Sequence, residues 1–390
     1  MSQPIPFLFY APYSKSFTGG PRVFLNLIER LDKTQFRPIC VSHCESLLTN
    51  ALRDRQIETI ILPFPKILEV YNEGVFAYSW IDKLRSLKAL VQYNSRLEQI
   101  ARRYQVRGIW GRNVKSILLI GLAARRLGVP LIWDVGMEKP SRGLMRHLHW
   151  IGLSLASVVV TEASSQPQTI FDPKAVRQFE KKFIAIAPGT NVDRITTSII
   201  DRHREPTAPF KILNVGTIQP RKNQLLLLRA IQPLVQQYPQ IQVQFAGSIA
   251  DELYFSECKA FIEAHNLSES VSFLGWRDDI LELMQQSNLF VLCSHNEGVP
   301  CAIGEAMYAG LPMIATAIGG IPEIISHKET GFLIEPDAVT QLQDWIEFCL
   351  LNPSILEEIG TRSREVAQQK FSIVGWSSRY NELLRQLCQI

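Results

Sequence analysis

Apolar and polar positions alternate along this chain in a way that predicts two successive α/β domains. Apolar runs of strand length are followed by polar turns and then by stretches with a helical spacing of apolar residues. This pattern restarts after residues 198–209, a segment rich in charged residues that contains two prolines and that we interpret as a linker. We therefore expect a Rossmann-like domain over residues 1–200 and a second one over residues 201–373.

The strands of both domains are predicted from their apolar runs. The βα alternation between the runs indicates parallel sheets, whose ligands bind at the C-terminal ends of the strands. The predicted strands are residues 5–11, 37–42, 57–62, 108–110, 130–133, 158–162 and 183–187 in the first domain, and residues 211–215, 243–247, 271–274, 289–292 and 313–317 in the second.

The most informative stretch, residues 289–325, combines two buried strands with a polar turn and a short helix. The polar turn at 294–298 follows the first strand, and Pro300 is expected at the first helical position. We expect the helix to run to about Ala309, with Gly310 as its C-terminal stop. The second strand then ends at the pair Gly319-Gly320.

Glu297 and Glu305 lie on either side of this predicted helix start. A helix that begins near Val299 would place Glu305 about 9 Å further along the axis. The free amides of the first helical turn would lie between the two carboxylates, and a helix N-terminus favours anions. This spacing would suit a sugar–diphosphate–ribose, with hydroxyl groups at both ends and phosphate between them. The alternative is a solvated helix with two ordinary surface glutamates.

Two other loops contain residues that suit phosphate. Gly216 and Thr217 follow the first strand of the second domain, and the adjacent cations Arg221 and Lys222 come directly before a predicted helix. An arginine offers bidentate donors and a lysine a point charge, as a diphosphate leaving group needs. In the first domain, Gly19-Gly20 opens a helix and lets the backbone approach a ligand closely. Solvated cations and a simple strand-to-helix turn are the competing interpretations.

These segments resemble the retaining, nucleotide-sugar-dependent glycosyltransferases of family 4, which have the GT-B fold. The resemblance is strong from residue 210 to 336, including a closing strand at 331–336, and loose before that. It is densest in the donor-binding signature of the family. The matching residues there are Ser294, Glu297, Gly298, Glu305, Ala306, Met307, Gly310, Pro312, Ile314, Ala315, Thr316, Gly319, Gly320, Pro322 and Glu323.

The resemblance implies a GT-B fold: two Rossmann-like domains facing a cleft, with a final helix at about 374–390 that crosses back to the first domain. It also implies transfer of a hexose from a UDP- or GDP-sugar to a saccharide or lipid-linked acceptor, with retention of configuration. Glu297, Arg221 and Lys222 would be the catalytic residues. The donor-binding residues would be Gly19, Gly20, Gly216, Thr217, Arg221, Lys222, Gly275, Trp276, Arg277, Glu297, Gly298, Val299, Pro300, Cys301 and Glu305.

No metal or other cofactor is expected, because the chain has no pair of aspartates separated by one residue. Cys40, His43 and Cys44 lack a second ligand pair at zinc spacing, and we interpret them as strand-end packing.

The chain departs from the family pattern at Gly136, where many members have a histidine that contacts the transferred sugar. Asp134, Glu138 and Arg142 in the same loop are candidate substitutes. The departure leaves two alternatives open. One is a catalytically silent nucleotide-binding partner in a polysaccharide assembly complex, and the other is a GT-B nucleotide-sugar epimerase.

Charge is distributed unevenly between the halves of the chain. Residues 1–200 hold 27 Lys and Arg against 15 Asp and Glu, whereas residues 201–390 hold 14 against 22. The basic half indicates an anionic partner such as a membrane surface or a phosphate-bearing acceptor, and no nucleic-acid-binding motif is present. The basic, amphipathic region 78–108 would either cover the sheet or face a membrane.

Cellular location is predicted from what the chain lacks. No apolar run reaches the ~18 residues that cross a bilayer, and no secretory signal precedes the first strand. Seven cysteines without framework spacing favour a reducing compartment. We expect a cytoplasmic protein, peripheral on the inner face of the cytoplasmic membrane where an anionic surface binds it.

Overall fold

A computed structural model divides the chain into two compact units, each of which we describe by itself. The first comprises residues 1–186 and 376–390, and the second comprises residues 187–375. The structure describes residues 3–11, 19–65, 67, 80–136, 138–189 and 208–389. The predicted boundary between residues 200 and 201 lies outside these ranges, as does the predicted linker except for residues 208 and 209.

The first unit is built on a seven-stranded parallel sheet. Its strands are β1 (Ile5–Tyr10), β2 (Phe36–Ser42), β3 (Glu58–Ile61), β4 (Ile109–Arg112), β5 (Leu131–Asp134), β6 (Val158–Thr161) and β7 (Phe183–Ala185). They pair in the order β3-β2-β1-β4-β5-β6-β7. The order reverses between β1 and β4, which makes the C-terminal ends of these two strands the switch point where such sheets bind ligands.

Helices cover both faces of this sheet. Leu8 and Tyr10 of β1 belong to a core shared with the helices that follow β3, β4 and β5, while Phe9 contacts Phe24 and Trp110 on the other face. This alternation of buried residues is expected for a strand covered on both sides. The helices are α1 (Gly19–Glu29), α2 (Leu47–Asp54), α3 (Trp80–Arg103), α4 (Asn113–Leu127), α5 (Leu144–Leu155), α6 (Gln166–Ile170) and α7 (Pro173–Gln178).

The second unit contains a six-stranded parallel sheet. Its strands are β8 (Phe210–Val215), β9 (Ile241–Ala246), β10 (Val271–Gly275), β11 (Leu289–Leu292), β12 (Met313–Thr316) and β13 (Phe332–Ile334), in the order β10-β9-β8-β11-β12-β13. All pairings are parallel. The switch point of this sheet therefore lies between β8 and β11. The remaining helices are α8 (Gln224–Gln237), α9 (Glu252–Ala264), α10 (Ile280–Gln285), α11 (Cys301–Tyr308), α12 (Val339–Leu351), α13 (Pro353–Lys370) and α14 (Ile373–Cys388).

Helix α14 returns to the first unit, in agreement with the predicted fold. The Tyr380 hydroxyl donates to Asp134 Oδ2 at 2.5 Å, and the Asp32 amide donates to Asn381 Oδ1 at 2.9 Å. Burial of Tyr380 and the Asp134 carboxylate beside it raise the pKa of this phenol well above its usual range. Tyr380 therefore remains a neutral donor that anchors the helix to the end of β5.

The end of α11 is fixed by α13. Arg364 donates from Nε to the Tyr308 carbonyl at 3.0 Å and from Nη2 to the Ala309 carbonyl at 3.1 Å. Gly310 follows the helix with a φ of +59°, as predicted for its C-terminal stop. These contacts satisfy carbonyl groups that a helix end leaves unpaired. Among the described helices of both units, none combines the length and apolar character needed to cross a membrane.

His149 in α5 gives the first unit a pH-dependent stability. Its side chain is buried between Trp133 and Phe171, and Nδ1 lies 2.9 Å from Ser141 Oγ. Burial lowers the pKa of this imidazole to about 4 from an ordinary value of 6.5. The folded state therefore keeps it neutral where the unfolded chain takes up a proton, and stability falls as the pH drops from 6.5 to 4.

We expect the His149→Gln variant to lose this pH dependence, whereas His147→Gln, a change at an exposed position of the same helix, keeps it. The loss in the wild type between pH 7.5 and pH 4 is at most roughly 3 kcal/mol in the free energy of unfolding. Urea unfolding across this range measures it. An unchanged pH slope in His149→Gln would show that another group is responsible.

Candidate functional site

The switch point of the second sheet brings two charged loops together. The loop after β8 ends in the short 3-10 helix Pro220–Lys222, and the loop after β11 contains Glu297. Because β8 and β11 are adjacent and parallel, their C-terminal ends lie side by side. Residues 75 positions apart, such as Lys222 and Glu297, therefore meet.

Glu297 is the centre of this site. Its Oε1 accepts from Lys222 Nζ at 2.5 Å and from Arg221 Nη1 at 3.0 Å. Arg221 Nη1 also donates to the Asn296 carbonyl, and the His295 amide donates to the Arg221 carbonyl. The carboxylate is almost fully buried, whereas the arginine side chain keeps 29% of its surface exposed. Two cations face one carboxylate, which leaves the cluster with a net positive charge.

The turn that holds Glu297 is fixed by the loop after β12. Thr316 Oγ1 donates to the Ser294 carbonyl at 2.7 Å, and the Gly320 amide donates to the Gly298 carbonyl at 3.0 Å. Gly319 has a φ of +53°, and a Cβ there would lie 1.9 Å from the Glu297 carbonyl oxygen. Glycine is therefore required at position 319, because no side chain fits against this turn.

The helix after this turn begins later than predicted. Pro300 has φ −65° and ψ 126° and precedes the first turn of α11, which starts at Cys301. The prediction of Pro300 as the first helical residue is wrong, because the bond from Gly320 holds the preceding residues in an irregular turn. Glu305 therefore lies about 6 Å along the helix axis from the helix start at Cys301, instead of the predicted 9 Å from a start near Val299.

Three further polar residues join the two loops and were not predicted. Asn223 Nδ2 lies 2.9 Å from His295 Nε2 and donates to Asp337 Oδ1 at 2.9 Å, and His295 Nε2 lies 2.7 Å from the same oxygen. The hydrogen bond from His295 is the largest cause of the lowered pKa of the Asp337 carboxyl. The sequence signal for Asp337 was a turn-forming residue directly after Pro336. In the structure Asp337 has a φ of +60°, a left-handed conformation that Asp tolerates.

The loop that contains the predicted donor-binding residues Gly275, Trp276 and Arg277 lies at the end of β10, two strands away from β8. Gly275 has a φ of +66°, and its carbonyl accepts from the Gly247 amide at 2.7 Å. Trp276 is 61% exposed, and Arg277 pairs with Asp279. Their role in donor binding stays a prediction.

Helix α1 of the first unit begins at Gly19-Gly20, as predicted. The loop before it, residues 12–18, lies outside the described residues. Across the switch point, the Glu138 carboxyl accepts from the Val114 amide at the start of α4. Burial raises the pKa of this carboxyl to about 8. Glu138 therefore acts as a helix cap, and Arg142 is exposed.

The structure explains why Gly136 stands where a histidine was expected. Gly136 has a φ of +56°, and a Cβ at this position would lie 2.5 Å from Arg112 Nε. Arg112 donates to Glu162 at 2.8 Å and lies 3.5 Å from Asp134. Asp134 therefore pairs with Arg112 and Tyr380 within the unit, and the arginine fills the space that a side chain at 136 would need.

His43 packs by stacking on Phe64 at 4.5 Å, and Cys40 is buried, in keeping with strand-end packing. Within the described ranges, no three His, Cys, Asp or Glu side chains form a metal-binding group. The expectation that no metal is used stays a prediction.

Residues 196–366, which lie within the second unit, match the family Glycosyl transferases group 1. The N-acetyl-alpha-D-glucosaminyl L-malate synthase of Bacillus anthracis is 29% identical over 159 residues, 40% of this chain and 42% of that protein. The UDP-Gal:alpha-D-GlcNAc-diphosphoundecaprenol alpha-1,3-galactosyltransferase of Escherichia coli is 31% identical over 153 residues, 38% of each. This chain spans less than half the length of the relatives that it matches.

The fold is similar to solved structures over nearly the whole chain. HepE of Anabaena in complex with UDP-glucose has a TM-score of 0.76 and 21% identity, and the match covers 98% of this chain and 100% of that chain. At this identity the likeness shows the fold alone. It confirms the predicted GT-B class of two Rossmann-like α/β domains.

We expect Gly319→Ala to destabilise the second unit more than Gly275→Ala, although both glycines have a positive φ. Each variant bears the left-handed strain of about 1 kcal/mol, but only the first forces a Cβ into the Glu297 carbonyl, whereas nothing lies within 4 Å at Gly275. The added overlap should cost about 2 kcal/mol. Urea unfolding measures both variants, and equal losses would contradict the steric role.

Proposed function

We propose that the protein transfers a hexose from a nucleotide-sugar to an acceptor hydroxyl, with the anomeric configuration retained. The observation that carries the proposal is the Glu297 carboxylate held by Arg221 and Lys222 beside the N-terminus of α11. It lies at a sheet switch point, where parallel α/β folds bind ligands. The family match of residues 196–366 to group 1 glycosyltransferases supports this reaction class.

In this mechanism the two cations neutralise the leaving diphosphate. Arg221 provides planar donors and Lys222 a point charge, and the first amides of α11 add an anion-binding helix end. Glu297 orients both cations and accepts from the sugar hydroxyls. Glu305, about one turn into α11, accepts from the ribose. The leaving phosphate takes the acceptor proton, so that no protein base is needed and no metal carries the diphosphate charge.

A UDP-hexose is the first donor to test, and GDP-sugars the second. A relative whose name specifies UDP-Gal and a similar fold with UDP-glucose bound support this order. We propose a saccharide or a lipid-linked acceptor in the synthesis of a polysaccharide or glycolipid. The excess of cations in the first half of the chain supports a cytoplasmic enzyme that binds the anionic inner face of the membrane.

The second candidate is a catalytically silent nucleotide-binding partner of an assembly complex. Gly136 and the Arg112 side chain against it favour this alternative, because they exclude the histidine that active relatives of the resembled family place near the sugar. A silent protein would bind nucleotide without consuming it. Release of UDP from any UDP-sugar, with or without an acceptor, distinguishes the two functions.

We expect Lys222→Ala to reduce transfer roughly 150-fold, by the loss of about 3 kcal/mol of transition-state stabilisation. Glu297→Gln keeps the shape of the side chain but loses the charge that orients both cations, and we expect a comparable loss. Glu263→Gln, at an exposed position on α9, is the matched control and should transfer at the wild-type rate. The measurement is release of nucleoside diphosphate from a panel of UDP-, GDP- and ADP-hexoses.

Nucleotide binding is measured separately by thermal shift. A ligand at 100 times its dissociation constant stabilises the folded state by about 2.7 kcal/mol. A shift that occurs in the wild type and in Glu263→Gln but is reduced in Lys222→Ala supports the donor site. A folded protein that shifts with none of the nucleotides would disprove it.

A further inference from the structure

The first unit contains a basic groove at the N-terminal ends of its strands, the side of the sheet opposite to the switch point. The groove has a volume of about 1210 Å³ and is lined by the N-terminal residues of β1, the turn before β4, the turn before β5 and the C-terminal ends of α3 and α14. On this side of the sheet, β1, β4 and β5 begin and α3 and α14 end. Asp134 and Gly136 lie at the opposite, C-terminal end of β5.

Four arginines line the groove: Arg37, Arg102, Arg103 and Arg107. The backbone places two of them on either side of β1, because Arg37 pairs with Pro6 and the Arg107 amide donates to the Pro6 carbonyl at 2.9 Å. With adjacent strands about 4.8 Å apart, the Cα atoms of Arg37 and Arg107 lie roughly 10 Å from each other.

The positive charge of this groove is largely uncompensated. Arg102 pairs with Glu98 at 2.8 Å, but Arg37, Arg103 and Arg107 form no ion pair with any described residue. The lining residues include no Asp or Glu, and the nearby Glu58 carboxylate accepts from the Tyr104 hydroxyl at 2.7 Å. Three exposed guanidinium groups therefore face the same open space.

Favourable interaction with a helix dipole accounts for only two of the four arginines in the groove. Arg102 and Arg103 lie in the last turn of α3, where a cation stabilises the negative end of the helix dipole. Arg37 lies in β2 and Arg107 in the turn before β4, and neither is at a helix end. Their exposed charges repel each other and the helix-end arginines, which is the arrangement expected where an anion is bound.

We propose that this groove binds a phosphoryl group, as a second anion site distinct from the Glu297 cluster. Guanidinium groups bind phosphate oxygens through paired N–H donors. Pro4, Pro6, Val129, Pro130 and Leu387 provide an apolar wall beside the arginines. The same chemistry suits the phosphate of an anionic lipid headgroup and that of a soluble phosphorylated compound.

The test compares the double variant Arg37→Ala/Arg107→Ala with Lys88→Ala/Arg96→Ala. The control removes the same charge from exposed positions of α3 outside the groove. Binding is measured by cosedimentation with phosphatidylcholine vesicles that contain about one third phosphatidylglycerol, and by calorimetry with pyrophosphate. We expect the groove variant to bind at least one probe roughly 30-fold more weakly than the wild type. Each arginine near an anionic surface contributes about fivefold to the affinity, and the variant lacks two of them.

The two probes identify the source of the phosphoryl group. Weaker binding to the vesicles alone assigns the groove to a lipid headgroup, and weaker binding to pyrophosphate alone assigns it to a soluble phosphate. Equal losses in the groove variant and the control, or no binding of either probe by the wild type, would overturn the proposal. Neither measurement uses sugar transfer, so failure here leaves the proposed activity untouched, and Lys222→Ala should retain the groove-dependent component of binding.

Discussion

The site depends on a single buried carboxylate that two cations share. Glu297 is almost fully buried, and a buried charge is stable only when it is paired and hydrogen-bonded. Lys222 and Arg221 provide that pairing, and they come from a loop 75 residues earlier in the chain. The interaction therefore joins the C-terminal ends of β8 and β11. It also orders the short 3-10 helix, the Glu297 turn and the start of α11. In the proposed function, ligand recognition and local folding use the same three side chains.

Whether a strand is buried depends on its own residues, which is why the bounds of the strands could be predicted accurately. β11 has the predicted ends at Leu289 and Leu292, and the other described strands differ from their predicted bounds by one or two residues. A parallel strand covered on both faces must be apolar along its whole length, so a short apolar run is a strong signal. Turns with glycine at positive φ, such as Gly310, were predictable for a similar reason.

Contacts across the sheet could not be predicted in the same way. His295 and Asp337 stand 42 residues apart and meet only because the sheet order places β11 and β13 on either side of β12. The pairing of Arg112 with Glu162, across 50 residues, depends equally on neighbouring strands. Gly136 was recognised as a departure from the family pattern, but its cause, the guanidinium packed against it, lies on another strand. Three-dimensional proximity, and not residue type, decides such contacts.

The return of α14 to the first unit has a consequence for how the chain folds during synthesis. The Asp134 carboxylate accepts from the Tyr380 hydroxyl, and the Asp32 amide donates to Asn381 Oδ1, so both contacts need residues that leave the ribosome after the second unit. Until then, the Asp134 carboxylate has Arg112 but lacks the Tyr380 hydroxyl. The unit whose translation begins first is thus completed only after the whole second unit has been made. A chain stopped early would expose the surface that Trp376 and Tyr380 bury, and quality-control proteases could distinguish it from the finished protein.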